Sequence, residues 1–247
     1  MKKILFLTLG FLLSIAPNAY AVRKGATTSE PKFAAVVGLP SCSGTFIHPR
    51  LIITAGHCLP NISGKEVSIA QGSRWKSNNY KIEHMMAHPD FIPNTNNLND
   101  IAYILLQNPI TDKNILENIP EINLEKINQL TTGSTILAVG FGVDRVLKAR
   151  EEEEYLNQME KKKIDLTIFQ EENFMKMSKS AEEGGGVCPG DSGGGTFLEV
   201  DNKTYYTGHI VAMQGFCGKK DSTMFTSNIK YYIDWIEKET GLTLHSL

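Results

Sequence analysis

Apolar and polar residues along the chain fall into short stretches separated by turn formers. Phe33–Val37, Gly44–Ile47, Leu51–Thr54, Val67–Ala70, Ile101–Leu106, Ser134–Val139, Gly208–Met213 and Met224–Ser227 each predict a β-strand of a few residues. His48-Pro49-Arg50 and Asn61-Ile62-Ser63-Gly64 read as turns among them. Many short strands at this spacing predict an all-β body, a sandwich or a barrel. The pattern changes near the C-terminus. Ile229, Tyr232, Ile233 and Ile236 share one face of a helix over about 229–240, with Asn228 suited to cap its start and Gly241 to end it. The polar stretch Asn114–Leu130 is the candidate connection between two halves, and no internal repeat is visible.

The start of the chain has a different character. Lys2 and Lys3 precede the apolar run Ile4–Ala16, and Pro17-Asn18-Ala19-Tyr20-Ala21 follows with an A-x-A cleavage site. This is the form of a secretory signal over 1–21, with a mature protein from Val22 that is secreted or periplasmic. The apolar run is too short to span a bilayer comfortably, so no membrane association is expected once the signal is removed. With 41% hydrophobic and 21% charged residues and a net charge of −2, composition is that of an ordinary globular protein. No basic patch with interleaved aromatics is present, and a nucleic-acid partner is not expected. Glu151–Glu154 and Lys161–Lys163 read as a solvated segment with opposite-charge pairs. Export also changes the reading of the four cysteines, Cys42, Cys58, Cys188 and Cys217. In an oxidising compartment they predict disulfides rather than a metal site, and three pairings are possible.

The candidate chemistry starts at "GDSGGG", Gly190–Gly195, which closes a loop beginning Gly184-Gly185-Gly186. Glycine in such quantity means a tight turn or a close approach. Ser192 on that turn is a candidate nucleophile, but a serine hydroxyl is weak without an adjacent base. Among six histidines, His84 and His88 have a metal-like spacing, yet Pro89 follows at once and no carboxylate-rich helix surrounds them. His57 stands in "TAGHC" beside Cys58. A bond from Cys58 to Cys42 would close a loop of about 16 residues, worth about 3 kcal/mol against the unfolded chain, and would restrain the histidine. "NNLNDIAYILL" places Asp100 just before an apolar strand, where a partly desolvated carboxylate needs a partner such as an imidazole N–H.

"TAGHC", "NDIAYILL" and "GDSGG", in this order, resemble the triad motifs of chymotrypsin-like (trypsin-family) serine proteases. "VGFG" at Val139–Gly142 resembles that family's Gly-aromatic-Gly turn, and the terminal helix with Trp235 resembles its last helix. The likeness covers the chain from Val22 to Gly241. It implies two six-stranded antiparallel β-barrels, the first over about 22–125 and the second over about 126–228, with the active site in the cleft between them and a C-terminal α-helix. It implies a serine endopeptidase that acts through an acyl-enzyme, on protein or peptide substrates, as a monomer and without cofactor or metal. His57, Asp100 and Ser192 would be the triad, and the amides of Gly190 and Ser192 the oxyanion hole. Cys188 would pair with Cys217. Val22 would be a new N-terminus paired with Asp191, although Arg23 replaces the usual apolar second residue.

Departures from the family pattern lie around the substrate. The pocket falls on Gly186, Val187, Ala212, Met213 and Gln214. Gly186 stands where trypsin-like enzymes carry an aspartate, so small or medium uncharged side chains are expected, with Asp221 the nearby acid that could restore a basic preference. Ala212 replaces a serine that supports the triad aspartate. A protease-fold binding protein without turnover, or an esterase of the same mechanism, are the alternative readings.

Overall fold

Why Leu51–Ile53 and Ile101–Leu106 are apolar without interruption is explained by what each face of these strands meets. The computed structural model describes residues 22, 24–71, 77–93, 98–142, 160–172, 174–180, 183–217, 219 and 222–244. In β4 (Leu51–Thr54), Leu51 and Ile53 point into one apolar cluster and Ile52 into another. In β7 (Ala102–Leu106), Tyr103 and Leu105 join the first cluster, Ile104 and Leu106 the second. Successive side chains of a strand face opposite ways, so a strand buried on both faces shows no alternation. The second cluster fills a barrel; the first is the seam where that barrel meets another.

The first barrel closes in the order β2 (Val36–Leu39), β3 (Cys42–His48), β4, β7, β6 (Ser77–Ala87) and β5 (Glu66–Ala70), antiparallel throughout. The second barrel runs β8 (Thr135–Gly140), β9 (Lys162–Glu172), β10 (Met175–Ser180), β13 (Thr223–Ser227), β12 (Lys203–Gln214) and β11 (Gly195–Val200), and closes where β11 returns to β8. A short β1 (Ala26–Thr27) pairs outside it, along the start of β9. The seam collects Leu51, Ile53 and Tyr103 from one barrel and Val139, Phe141, Phe197 and Tyr206 from the other. Truncating such a side chain to alanine typically costs about 2–5 kcal/mol, because the cavity left behind closes only in part.

Between the barrels, the polar connection contains two single-turn helices, α1 (Lys113–Leu116) and α2 (Leu124–Ile127). Asp112 and Asn123 cap them, accepting from the amides of Ile115 (3.2 Å) and Lys126 (3.0 Å). The terminal helix α3 (Ile233–Thr240) buries Ile233 and Ile236 in the seam, and Gly241 ends it in the left-handed conformation at φ +67°. Its start differs from expectation. A 3-10 turn, Ile229–Tyr231, comes first, and the Asn228 side chain donates to Glu171 (2.8 Å) instead of capping.

β6, β9, β10 and β11 escape the apolar pattern because polar residues interrupt it. Those of β6 are mostly exposed, whereas Lys176 and Ser178 in β10 are fully buried. Phe33 belongs to a 3-10 turn, Pro31–Phe33, and not to the following strand. Lys161 and Lys162 are buried, not solvated as expected, while Lys163 stays partly exposed and pairs with Glu30. Lys161 Nζ donates to the Phe33 carbonyl (2.6 Å), and burial pushes its ammonium down to about 7. Residues 1–21, Arg23, Glu151–Glu154 and Asp221 lie outside the described residues. Among the described residues, no helix is long and apolar enough to cross a membrane.

Candidate active site

His57 leaves β4 on a 3-10 turn, Gly56–Asn61, and the disulfide Cys42–Cys58 ties that turn to the start of β3. His57 lies close to both sulfurs, but these are bonded to each other and leave no thiolate for a metal. Asp100, 4% exposed, stands just before β7. Its carboxylate accepts twice from one residue, from His57 N–H at 2.9 Å and from His57 Nδ1 at 2.7 Å. A carboxylate only accepts, so Nδ1 carries the proton and Nε2 of the neutral ring keeps its lone pair. The ring is 40% exposed, at the wall of a cleft.

The main chain of Asp100 is held as firmly as its side chain. His209, fully buried in β12, lies with Nε2 2.9 Å from the Asp100 carbonyl and Nδ1 2.7 Å from Ser227 Oγ. A carbonyl cannot donate, so Nε2–H points at Asp100 and Nδ1 accepts from the Ser227 hydroxyl. Burial pushes the imidazole down to about 4 and keeps it neutral. Lys176 Nζ donates to the carbonyls of Ser227 and Thr207 (both 3.3 Å) behind this pair. Neither His209 nor Lys176 stood out in the sequence, where each is one polar residue in a strand.

Ser192 belongs to the other barrel, on the loop before β11. The first barrel grips that loop. Ser43 N–H of β3 donates to the Ser192 carbonyl (2.8 Å), and Ser43 Oγ donates to the Gly190 carbonyl (2.8 Å) while accepting from Phe141 N–H (2.9 Å). Ser43 was not legible as a functional residue, because its partners are all distant in sequence. Gly193, at φ +83°, passes so close that a Cβ would lie 2.1 Å from the Ser43 carbonyl oxygen. The amides of Asp191, Gly193 and Gly194 are all bonded within the protein. Among the described residues, those of Gly190 and Ser192 find no protein acceptor, and Gly190 sits at φ +91°. Two free amides, one of them the serine's own, can stabilise an oxyanion.

Ser192 and His57 share a cavity of about 390 Å³, walled by Asp100 and Phe91 on one side and by Val187, Ala212 and Met213 on the other. In this structure Ser192 Oγ donates to the Val211 carbonyl (3.3 Å). Gln214 is exposed, and Gly186 is buried behind the wall.

The family model described as Trypsin matches residues 22–236. The chain belongs to the Trypsin family. It is 25% identical over 257 residues to "Mannan-binding lectin serine protease 1" of Homo sapiens, covering 91% of this chain and 35% of that protein. The Rattus norvegicus protein of the same name is 25% identical over 262 residues, with the same coverage. "Inactive CLIP domain-containing serine protease A8" of Anopheles gambiae is 25% identical over 238 residues, covering 85% of this chain and 60% of that protein. The chain thus spans about a third of the length of the first relatives, at 35%.

This trypsin-family chain also buries a second acid beside Ser192. Asp191, fully buried, accepts from Gly142 N–H (2.7 Å), Cys188 N–H (2.8 Å) and Val22 N–H (3.3 Å). Burial pushes its carboxyl up to about 6, and the three amides and the charge of Lys162 restrain the rise. Cys188 in turn is bonded to Cys217, which fastens the Ser192 loop to the end of β12.

Proposed function

We propose that the chain is an exported serine endopeptidase, with residues 1–21 as its signal. The observation that carries the reading is the 2.7 Å contact of His57 Nδ1 with Asp100, on a ring that shares a cavity with Ser192. Ser192 Oγ attacks a peptide carbonyl and its proton passes to His57 Nε2. The free amides of Gly190 and Ser192 take up the oxyanion, and Asp100 stabilises the imidazolium. His57 then gives the proton to the leaving amine. Water, deprotonated by His57, splits the acyl-enzyme and returns the proton to Ser192. The deciding experiment treats the chain beginning at Val22 with a serine-directed phosphonate and maps the adduct by mass. An adduct on Ser192, with peptide hydrolysis lost in Ser192→Ala, is expected; no adduct and no hydrolysis overturn the reading.

A second reading, a protease-fold binding protein, is favoured by one contact: the Ser192 hydroxyl donates to Val211 instead of His57. The relative named inactive keeps company with it. Under that reading the phosphonate leaves Ser192 unmodified while the chain still binds a protein target.

A further inference from the structure

Behind the cavity wall, the direction in which residue 186 would carry a side chain is occupied by one residue. A Cβ at Gly186 would lie 2.5 Å from Met224 Cε and 3.9 Å from its Sδ, and these are the described atoms within 4 Å of that point. Met224 is 1% exposed, and in the pairing of β12 with β13 it stands directly opposite Met213. Met213 and Val187, the neighbour of Gly186, both wall the cavity that holds Ser192. The Met224 thioether therefore fills the space between the Gly186 loop and the β12–β13 pair, directly behind the wall that Val187 and Met213 make.

We propose that Met224 closes the far end of the substrate cavity, so that the enzyme cuts after small uncharged side chains, of alanine or serine size. The inference rests on the peptidase reading and deepens it. A substrate whose carbonyl meets Ser192 sends the adjoining side chain along the wall of Val187, Ala212 and Met213. Its path ends on the methyl of a buried methionine. A longer apolar side chain must displace that methyl from a packed core, and overpacking of this kind is unfavourable. A cationic one meets no carboxylate at Gly186 or Met224, and a buried unpaired charge is worse still. Gln214, expected from sequence to belong to the pocket, is exposed; the narrowing comes from the neighbouring strand.

The test compares peptide amides that differ only in the residue before the cut bond: alanine, serine, leucine, phenylalanine and lysine. The chain begins at Val22, and each variant is normalised by phosphonate labelling of Ser192. Wild type should show kcat/KM for alanine at least roughly 100-fold above phenylalanine and lysine, the scale on which a misfitting side chain is rejected. Met224→Ala and Met224→Gly should raise the phenylalanine-to-alanine ratio by about 10-fold or more, with lysine still poor. Wild-type cleavage after phenylalanine or lysine as fast as after alanine overturns the proposal, whether or not the variants fold. So does a labelled Met224→Ala with an unchanged ratio. Absence of both cleavage and labelling instead overturns the peptidase reading, and the inference falls with it.

Discussion

The Ser43 amide and the Ser192 carbonyl, 149 residues apart in the chain, are 2.8 Å apart across the seam of the two barrels. The proposed nucleophile is thus positioned from the barrel that supplies its base, and the Ser43 hydroxyl extends the grip to Gly190 and Phe141. Ser43→Ala removes that hydroxyl and leaves the buried Phe141 amide without its acceptor. A loss of about 1–3 kcal/mol in stability is expected, by denaturant titration. kcat for a peptide amide should fall with KM little changed, because the groups that move are those that meet the transition state. A stability loss with kcat intact would show that the grip is structural alone.

Replacing the proposed nucleophile is a blunter test. Ser192→Ala should lower kcat by roughly six orders of magnitude, the usual cost of losing a triad serine. Fold and melting midpoint should hardly change, since among the described residues Ser192 Oγ makes a single hydrogen bond, to Val211. Most of the peptide hydrolysis surviving in this variant would remove Ser192 from the mechanism.

How much of this was legible follows from the range of each interaction. The two-barrel fold and the membership of the family came from motifs that are local words: "TAGHC" carries its own turn, and "GDSGG" its own loop. The strands β4 and β7 were visible because two apolar environments leave them apolar apart from Thr54. β10 was invisible because Lys176 and Ser178 point inward, and burial of a lysine on two carbonyls cannot be read from a hydrophobic pattern. His209, Ser43 and Met224 were missed for the same reason. Each acts on a partner brought close only by barrel closure, and none has a neighbour in sequence that marks it.

The buried His209 predicts a pH dependence of stability. Its imidazole is pushed from 6.5 down to about 4 by burial, with Asp100 favouring and His57 and Lys176 opposing its charge. A depressed value means that the unfolded chain binds a proton the folded one refuses. The contribution is present above pH 6.5 and is lost as pH falls toward 4, by about 3 kcal/mol over that window. His209→Gln keeps a donor for the Asp100 carbonyl and does not titrate. Its unfolding free energy should therefore fall less than that of wild type between pH 6.5 and 4, and parallel curves for the two would count against a neutral buried His209. If His209 also positions Asp100, His209→Ala should lower kcat while His209→Gln restores much of it.

The fully buried carboxylate of Asp191 faces the main-chain nitrogen of Val22. In the uncut chain Val22 N is a peptide amide, and it lies 3.3 Å from Asp191 Oδ2. Three amides are not a countercharge, and burial pushes the carboxyl from 3.8 up to about 6. A raised value makes the folded state hold its proton longer than the unfolded chain. The contribution is full below pH 3.8 and is lost as pH rises through about 6. Cleavage after Ala21 would turn Val22 N into an ammonium at the same place and supply the missing charge. A chain starting at Val22 should then keep its stability between pH 4 and 7, while one extended by a few residues loses it. Breaking a buried pair typically costs about 3–5 kcal/mol, so the gap at pH 7 should approach that size. The extended chain should also turn over peptide more slowly, because Asp191 lies between the two amides proposed to hold the oxyanion. Asp191→Asn removes the charge and should erase the difference in pH dependence. Melting midpoints and turnover measured for both forms from pH 4 to 7 decide the matter, and identical curves would show that the N-terminus is no switch.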